Sequence, residues 1–72
     1  MEKLTIKNNI RKLRFAQAEM TQEALAEKVG ANRQTILSIE SGKYLPSLEL
    51  AFRIAKAFGL PIEQVFYEGV EE

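Results

Sequence analysis

Apolar and polar positions recur along this chain with two different periods, and the places where the period changes mark out its elements. Leu4-Thr5-Ile6 is short, partly β-branched and alternating, which predicts a small strand. From Asn9 to about Ala18 the period lengthens. Ile10 and Leu13 define an inner side while Arg11 and Lys12 point outward, so an amphipathic helix with a basic outer face is expected, capped by Asn8. Arg14 falls on the inner side and needs a partner there. Phe15 lies off that side, and the terminal strand is expected to cover it. Glu19-Met20 closes the turn.

Thr21 is suited to cap a second helix over Gln22 to Val29, with Glu23 in its first turn, Lys28 in its last and Gly30 placed to stop it. Leu25 and Val29 are spaced for its buried side. Only Ala31 separates Gly30 from Asn32, whose side chain can cap a third helix running to Glu40. At about 100 degrees per residue, Ile36 and Ile39 share the buried side of that helix. Gln34 points directly away, Leu37 and Ser38 lie to either side of it, and Arg33 and Thr35 sit at the margins. An ordinary solvated face carries several Glu and Lys; this one has no charge except Arg33 at its edge.

Ser41-Gly42 ends the third helix, and Lys43-Tyr44-Leu45-Pro46 makes a loop before Ser47, a cap for a fourth helix from Leu48 to Phe58. Ala51, Ile54, Ala55 and Phe58 form its core stripe. Gly59 ends it, and Pro61 opens a short fifth helix through Ile62 to about Phe66. The stretch from Tyr67 leaves room for a brief strand before the acidic end. The elements sum to an all-α chain, a compact five-helix bundle, with room for a short two-stranded antiparallel sheet from the termini.

Composition narrows the reading further. A chain of 72 residues fits one domain, 1–72, with a modest core, so close helix packing has to supply its stability. Cysteine is absent, which removes disulfides and thiolate metal sites and suggests a reducing interior. No signal-peptide pattern opens the sequence and no run approaches the roughly 18 apolar residues of a membrane span, so a cytoplasmic location is expected. The formal net charge is zero, but its distribution is not even. Residues 1 to 43 hold eight Lys/Arg against five Glu, a balance of +3, and residues 44 to 72 hold two against five, a balance of −3. The chain is electrically two-ended, so a basic footprint can sit on its first portion.

Two capped helices joined by a short turn containing Gly are the physical description of a helix-turn-helix, here at about residues 21–42, whose second helix enters the DNA major groove. Small Ala26 permits close crossing of the two helices, Gly30 makes the turn, and Leu25, Val29, Ala31, Ile36 and Ile39 take the inward positions.

In Thr-Gln-Glu-Ala-Leu-Ala-Glu-Lys-Val-Gly, Arg-Gln-Thr-Ile, Ile-Glu-Ser-Gly-Lys and Pro-Ser-Leu-Glu-Leu the chain resembles the Xre family, the Cro and phage-repressor class of helix-turn-helix regulators. The resemblance spans roughly residues 9 to 66. It implies a five-helix bundle with a two-stranded terminal sheet, acting as a homodimeric repressor. It also implies that Glu40, an acid on an inward-leaning side of the third helix, pairs with an Arg on helix 1, Arg14, as a structural ion pair. The interval from Arg14 to Thr21 is one residue longer than is usual for the family, so helix 1 or its turn is expected to sit slightly differently.

A polar, nearly uncharged, capped helix end can read base edges that a crowd of Glu repels. Gln34 offers an amide suited to adenine, and Arg33 a fork suited to guanine or phosphate. Thr35 and Ser38 are candidates for weaker polar contacts, with a local capping role the other reading of Thr35. Leu37 suits either a thymine methyl or packing on a neighbouring helix. Thr21 and Gln22, heading helix 2, are candidates for phosphate contact, as are Lys43 and Tyr44 in the following loop, with packing on Pro46 the alternative for Tyr44.

Without His or Cys, and with no Ser beside an evident base, an enzyme is not expected. Glu23 and Glu27 share a helix face in the way solvated surface acids do. Neither a cofactor nor a metal site is indicated, nor a small-molecule effector. The rival reading is a protein-interaction module, such as the antitoxin member of a toxin pair, using the acidic second portion. One reading helix reaches too few base pairs for useful selectivity, so a homodimer on a near-palindromic operator is expected. Its candidate interface is Ile62, Val65, Phe66 and Tyr67, because so small a chain has few interior positions left for two more rings.

Overall fold

The computed structural model describes residues 4–69. In chain order it holds strand β1 (Thr5–Asn8), helices α1 (Ile10–Ala16), α2 (Gln22–Val29), α3 (Arg33–Glu40) and α4 (Leu48–Phe58), one 3-10 turn (Ile62–Gln64) and strand β2 (Phe66–Gly69). The strands pair antiparallel, Thr5 with Gly69 through Asn8 with Phe66.

Three helices start where a short polar side chain accepts the backbone N–H three residues on. Thr21 Oγ1 takes Ala24 N at 3.0 Å, Asn32 Oδ1 takes Thr35 N at 2.8 Å and Ser47 Oγ takes Leu50 N at 3.1 Å. At the end of α2, Gly30 has φ 74° and donates to Glu27 O, and Ala31 N donates to Ala26 O at 2.9 Å. This left-handed closure satisfies two carbonyls that the helix leaves open and turns the chain at once into α3.

The core gathers Ile10 of α1, Leu25, Ala26 and Val29 of α2, Ile36 and Ile39 of α3, Ile54, Ala55 and Phe58 of α4, and Val65. Burying each large aliphatic side chain contributes about 1.5 to 3 kcal/mol relative to exposure. Every helix therefore presents one stripe to a common centre.

The five-helix bundle does not form: four α-helices and a two-stranded sheet make the fold. The expected fifth helix, from Pro61 to about Phe66, shrinks to a single 3-10 turn closed by Gln64 N to Pro61 O and Val65 N to Ile62 O. A helix of some five residues gains too few hydrogen bonds to offset its nucleation. Val65, Phe66 and Tyr67 are instead good strand formers. They gain the pairing with β1, and Val65 O accepts from Asn9 N at 2.9 Å.

Three local expectations also change. Helix α1 stops at Ala16, two residues early, and the extra residue of the following interval is taken up by left-handed backbone at Ala18 (φ 54°) and Glu19 (φ 55°). Asn8 ends β1 rather than occupying the cap of α1, which falls to Asn9. Its side chain still serves that helix, since Oδ1 accepts from Ile10 N at 3.1 Å, while Nδ2 donates to Ile39 O at 3.0 Å and ties the strand to the end of α3. Phe15 is not covered by the strand; half of it is exposed. The acidic residues Glu71 and Glu72 lie outside the described residues.

Candidate nucleic-acid interface

Helix α3 sits on the core through Ile36 and Ile39, so its opposite face is free. Arg33 and Gln34 are exposed in its first turn, and Thr35, Leu37 and Ser38 are half-buried along its flanks. The Thr35 hydroxyl donates to Asn32 Oδ1 at 2.9 Å, so Thr35 reinforces the cap. Among the described residues the ion pairs are Arg14–Glu40 and Arg53–Glu49, which leaves Arg33 and Lys43 uncommitted.

One acid could spoil this face, and the fold removes it. Glu40 turns inward to Arg14, whose Nε donates to Oε2 at 2.6 Å and whose Nη2 donates to Oε1 at 3.2 Å. The third guanidinium nitrogen donates to Met20 O at 2.7 Å. Both side chains are more than nine-tenths buried. The pair thereby joins α1, the α1–α2 connection and α3, and keeps the carboxylate away from the exposed face.

Gln22 heads α2 half-buried, and its amide also donates to Glu40 Oε1 at 3.4 Å. Its second N–H and the adjoining N–H groups of α2 remain for an anion. Lys43 and Tyr44 are exposed after α3, and the backbone N–H groups of both converge on Ser38 O at 3.0 and 3.2 Å. Ser41 Oγ donates to the same oxygen at 3.1 Å. The loop is thus held against the helix it follows. The turn between α2 and α3 is held from the other side, where Arg53 of α4 reaches Val29 O at 3.4 Å.

The structure divides the four residues expected at an interface. Val65 has no exposed surface and belongs to the core, so it leaves that set. Its β-branched side chain closes the core beneath the 3-10 turn. Ile62 and Phe66 line an apolar groove together with Ile6, Leu45, Pro46, Leu48 and Ala51. Tyr67, one residue further along β2, points to the other side of the sheet, opposite Lys7.

Sequence reasoning missed Leu45, Leu48 and Phe52, which are 61%, 71% and 49% exposed. A signal was present. Leu48 and Phe52 are four apart on α4, about a quarter turn off the core stripe, and two large apolar residues in that relation form a second stripe that the described residues leave uncovered.

Residues 10–65 match the family described as Helix-turn-helix. A similar protein is an uncharacterised HTH-type transcriptional regulator of Methanocaldococcus jannaschii, 57% identical over 63 residues, which cover 83% of this chain and 96% of that one. The cryptic phage CTXphi transcriptional repressor RstR of Vibrio cholerae is 34% identical over 58 residues, covering 81% of this chain and about half (51%) of the repressor. Among solved structures, that of a candidate DNA-binding protein from Bacteroides fragilis superposes with a TM-score of 0.74 at 27% identity, covering 86% of this chain and 98% of that one. The match extends through both helices of the motif and the core beneath them, and the chain belongs to the Xre-type helix-turn-helix family of transcriptional regulators.

Proposed function

We propose that the protein is a cytoplasmic, single-domain repressor that binds a specific double-stranded DNA operator as a homodimer. The observation that carries this reading is the outer face of α3, where Arg33 and Gln34 are exposed and the one acid of that helix, Glu40, is drawn inward by Arg14. Gln34 and Arg33 read base edges, with Leu37 and Ser38 at the flanks and Thr35 chiefly securing the cap. Thr21, Gln22, Lys43 and Tyr44 hold phosphates on either side. The name of the Vibrio cholerae relative supports repression, over about half of that protein's length.

The homodimer rests on the apolar groove. Its lining from Ile6 to Phe66 carries no charge, and Leu48, one of its lining residues, is followed one turn on along α4 by Phe52, an exposed ridge beside it. A groove next to a ridge on one surface is self-complementary, so a two-fold axis lets each copy fill the other. Two reading helices then address half-sites roughly 34 Å apart, which makes the operator nearly palindromic.

Selection of bound duplexes from a random pool, followed by sedimentation of the complex, tests the reading. A palindromic consensus bound by two chains is expected. Enrichment of no sequence, with retention of a protein partner instead, would replace it with an interaction module.

A further inference from the structure

The side of the sheet opposite the apolar groove has a different chemistry. Pairing of Lys7 with Tyr67 puts both on that side, whereas Ile6 and Glu68, the next pair, face the groove side. The alternation therefore keeps the strand's one described acid off this surface. Next to Tyr67, helix α1 contributes Arg11, Lys12 and Phe15 to the same shallow groove, whose remaining lining is Asn8, Asn9 and Glu40. Lys7, Arg11 and Lys12 are exposed and form no ion pair among the described residues. The one carboxylate, that of Glu40, is already taken by Arg14.

Two aromatic rings lie open among these cations, Phe15 at 51% and Tyr67 at 42% exposure. The Phe15 ring has the Arg11 guanidinium 5.6 Å from its centroid and that of Arg14 at 5.4 Å. Stacking of this kind is favourable and holds the Arg11 fork at the surface with its N–H groups free. Arg14 has no such freedom, since its nitrogens are spent on Glu40 and Met20.

The surface is continuous with the proposed interface. A second shallow groove runs from Thr5, Lys7 and Tyr67 past Glu40 to Ser41 and Gly42, directly before Lys43. The basic band thus starts at the loop after the reading helix and continues over β1, β2 and α1.

We infer that this band, Lys7, Arg11 and Lys12 with Phe15 and Tyr67, is a second phosphate-binding face that grips the DNA backbone beyond the segment read by α3. The inference rests on the DNA-binding reading above. Duplex DNA is favoured over an acidic protein because the band joins the loop already proposed to hold phosphate. Its cations act on the backbone and read no base, so they add length and affinity to the footprint without changing its sequence.

The test compares the full chain with the triple variant Lys7→Ala/Arg11→Ala/Lys12→Ala, and with Arg11→Gln alone, on a long duplex carrying the selected site and on the same site trimmed of its flanks. Three released phosphate contacts should make the slope of log affinity against log salt shallower by about 2 to 3 on the long duplex. Arg11→Gln should remove about one. The parent should lose affinity when the flanks are trimmed, and the variants should then match it. The preferred sequence should be unchanged, and the melting of the free proteins should fall by no more than a few degrees, because all three side chains are exposed and only the Arg11–Phe15 stacking is lost. A parent that binds its site and a triple variant with the same slope and affinity on the long duplex would overturn this inference alone. A parent that binds no duplex would overturn the DNA-binding reading and this one with it.

Discussion

Arg14 and Glu40 are 26 positions apart in sequence and meet in two hydrogen bonds, of 2.6 and 3.2 Å, with both side chains almost wholly buried. Removing one member leaves the other charged and unpaired in a dry setting. Glu40→Leu should therefore destabilise the fold by about 3 to 5 kcal/mol. The double replacement Arg14→Met/Glu40→Leu should cost far less than the two single changes together. Urea unfolding of the four proteins in a double-mutant cycle checks this, and additive losses would show that the pair is not energetically coupled.

Gln34 is exposed in the first turn of α3, and its side chain forms no hydrogen bond among the described residues. Gln34→Ala should cost about 1 to 3 kcal/mol on the selected operator and relax the preference at one base position. Binding to random duplex should barely move. Equal losses on specific and random DNA would reassign Gln34 to phosphate contact.

Lys43 stands on the loop pinned to Ser38, free of any ion pair among the described residues. Lys43→Ala should weaken binding similarly on all sequences and reduce the salt slope by about 1. A titration of affinity from low to moderate salt reads both quantities. A change in the preferred sequence would contradict a backbone role.

Leu48 and Phe66 lie on the same apolar groove, Leu48 the more exposed. A carboxylate at either place should separate the two copies by placing an uncompensated charge in the joint. Sedimentation at micromolar concentration should show a dimeric parent and monomeric Leu48→Glu and Phe66→Glu. Tyr67→Glu, on the other side of the sheet, should remain dimeric. A dimer that dissociates only with Tyr67→Glu would move the two-fold axis to that side.

Ala18 and Glu19 both hold left-handed backbone, at φ 54° and 55°, where a side chain costs roughly 1 kcal/mol that glycine avoids. Ala18→Gly should raise stability by about 0.5 to 1 kcal/mol and the melting temperature by several degrees. Calorimetry of the free protein measures it. A lower melting temperature would mean that the added freedom of the unfolded chain outweighs the strain relieved.

Helices α2, α3 and α4 were legible because each carries local punctuation. Thr21, Asn32 and Ser47 cap by contacts three residues away, and Gly30 and Gly59 close by bonds within their own turn, so a short window holds the information. The stretch from Ile62 to Phe66 was misread as a helix because its conformation is decided by residues more than fifty positions earlier: Phe66 joins the strand that continues through Tyr67 because Asn8 is there to pair with it. The site divides the same way. The exposure of Gln34 and Arg33 follows from the phase of one helix. The engagement of Gln22 by Glu40, and the split of Phe66 from Tyr67 across a sheet, depend on elements meeting in space. Leu48 and Phe52 could have been found by asking which apolar positions the core stripe leaves over.

Pairing Thr5 with Gly69 closes a loop of nearly the whole described chain, whereas α2 and α3 meet across a turn of three residues. The entropy of closing roughly sixty residues, on the order of 3 to 4 kcal/mol, has to be met before the first strand contact repays it. The helices are consequently expected to form first, and the sheet to zip last and open first. Ile6 and Phe66 on one side, and Lys7 and Tyr67 on the other, come together only at that final step. On that order, a chain still on its way would display a finished α3 but neither the apolar groove nor the complete basic band. The proposed self-association would thereby be deferred until each copy has folded from end to end.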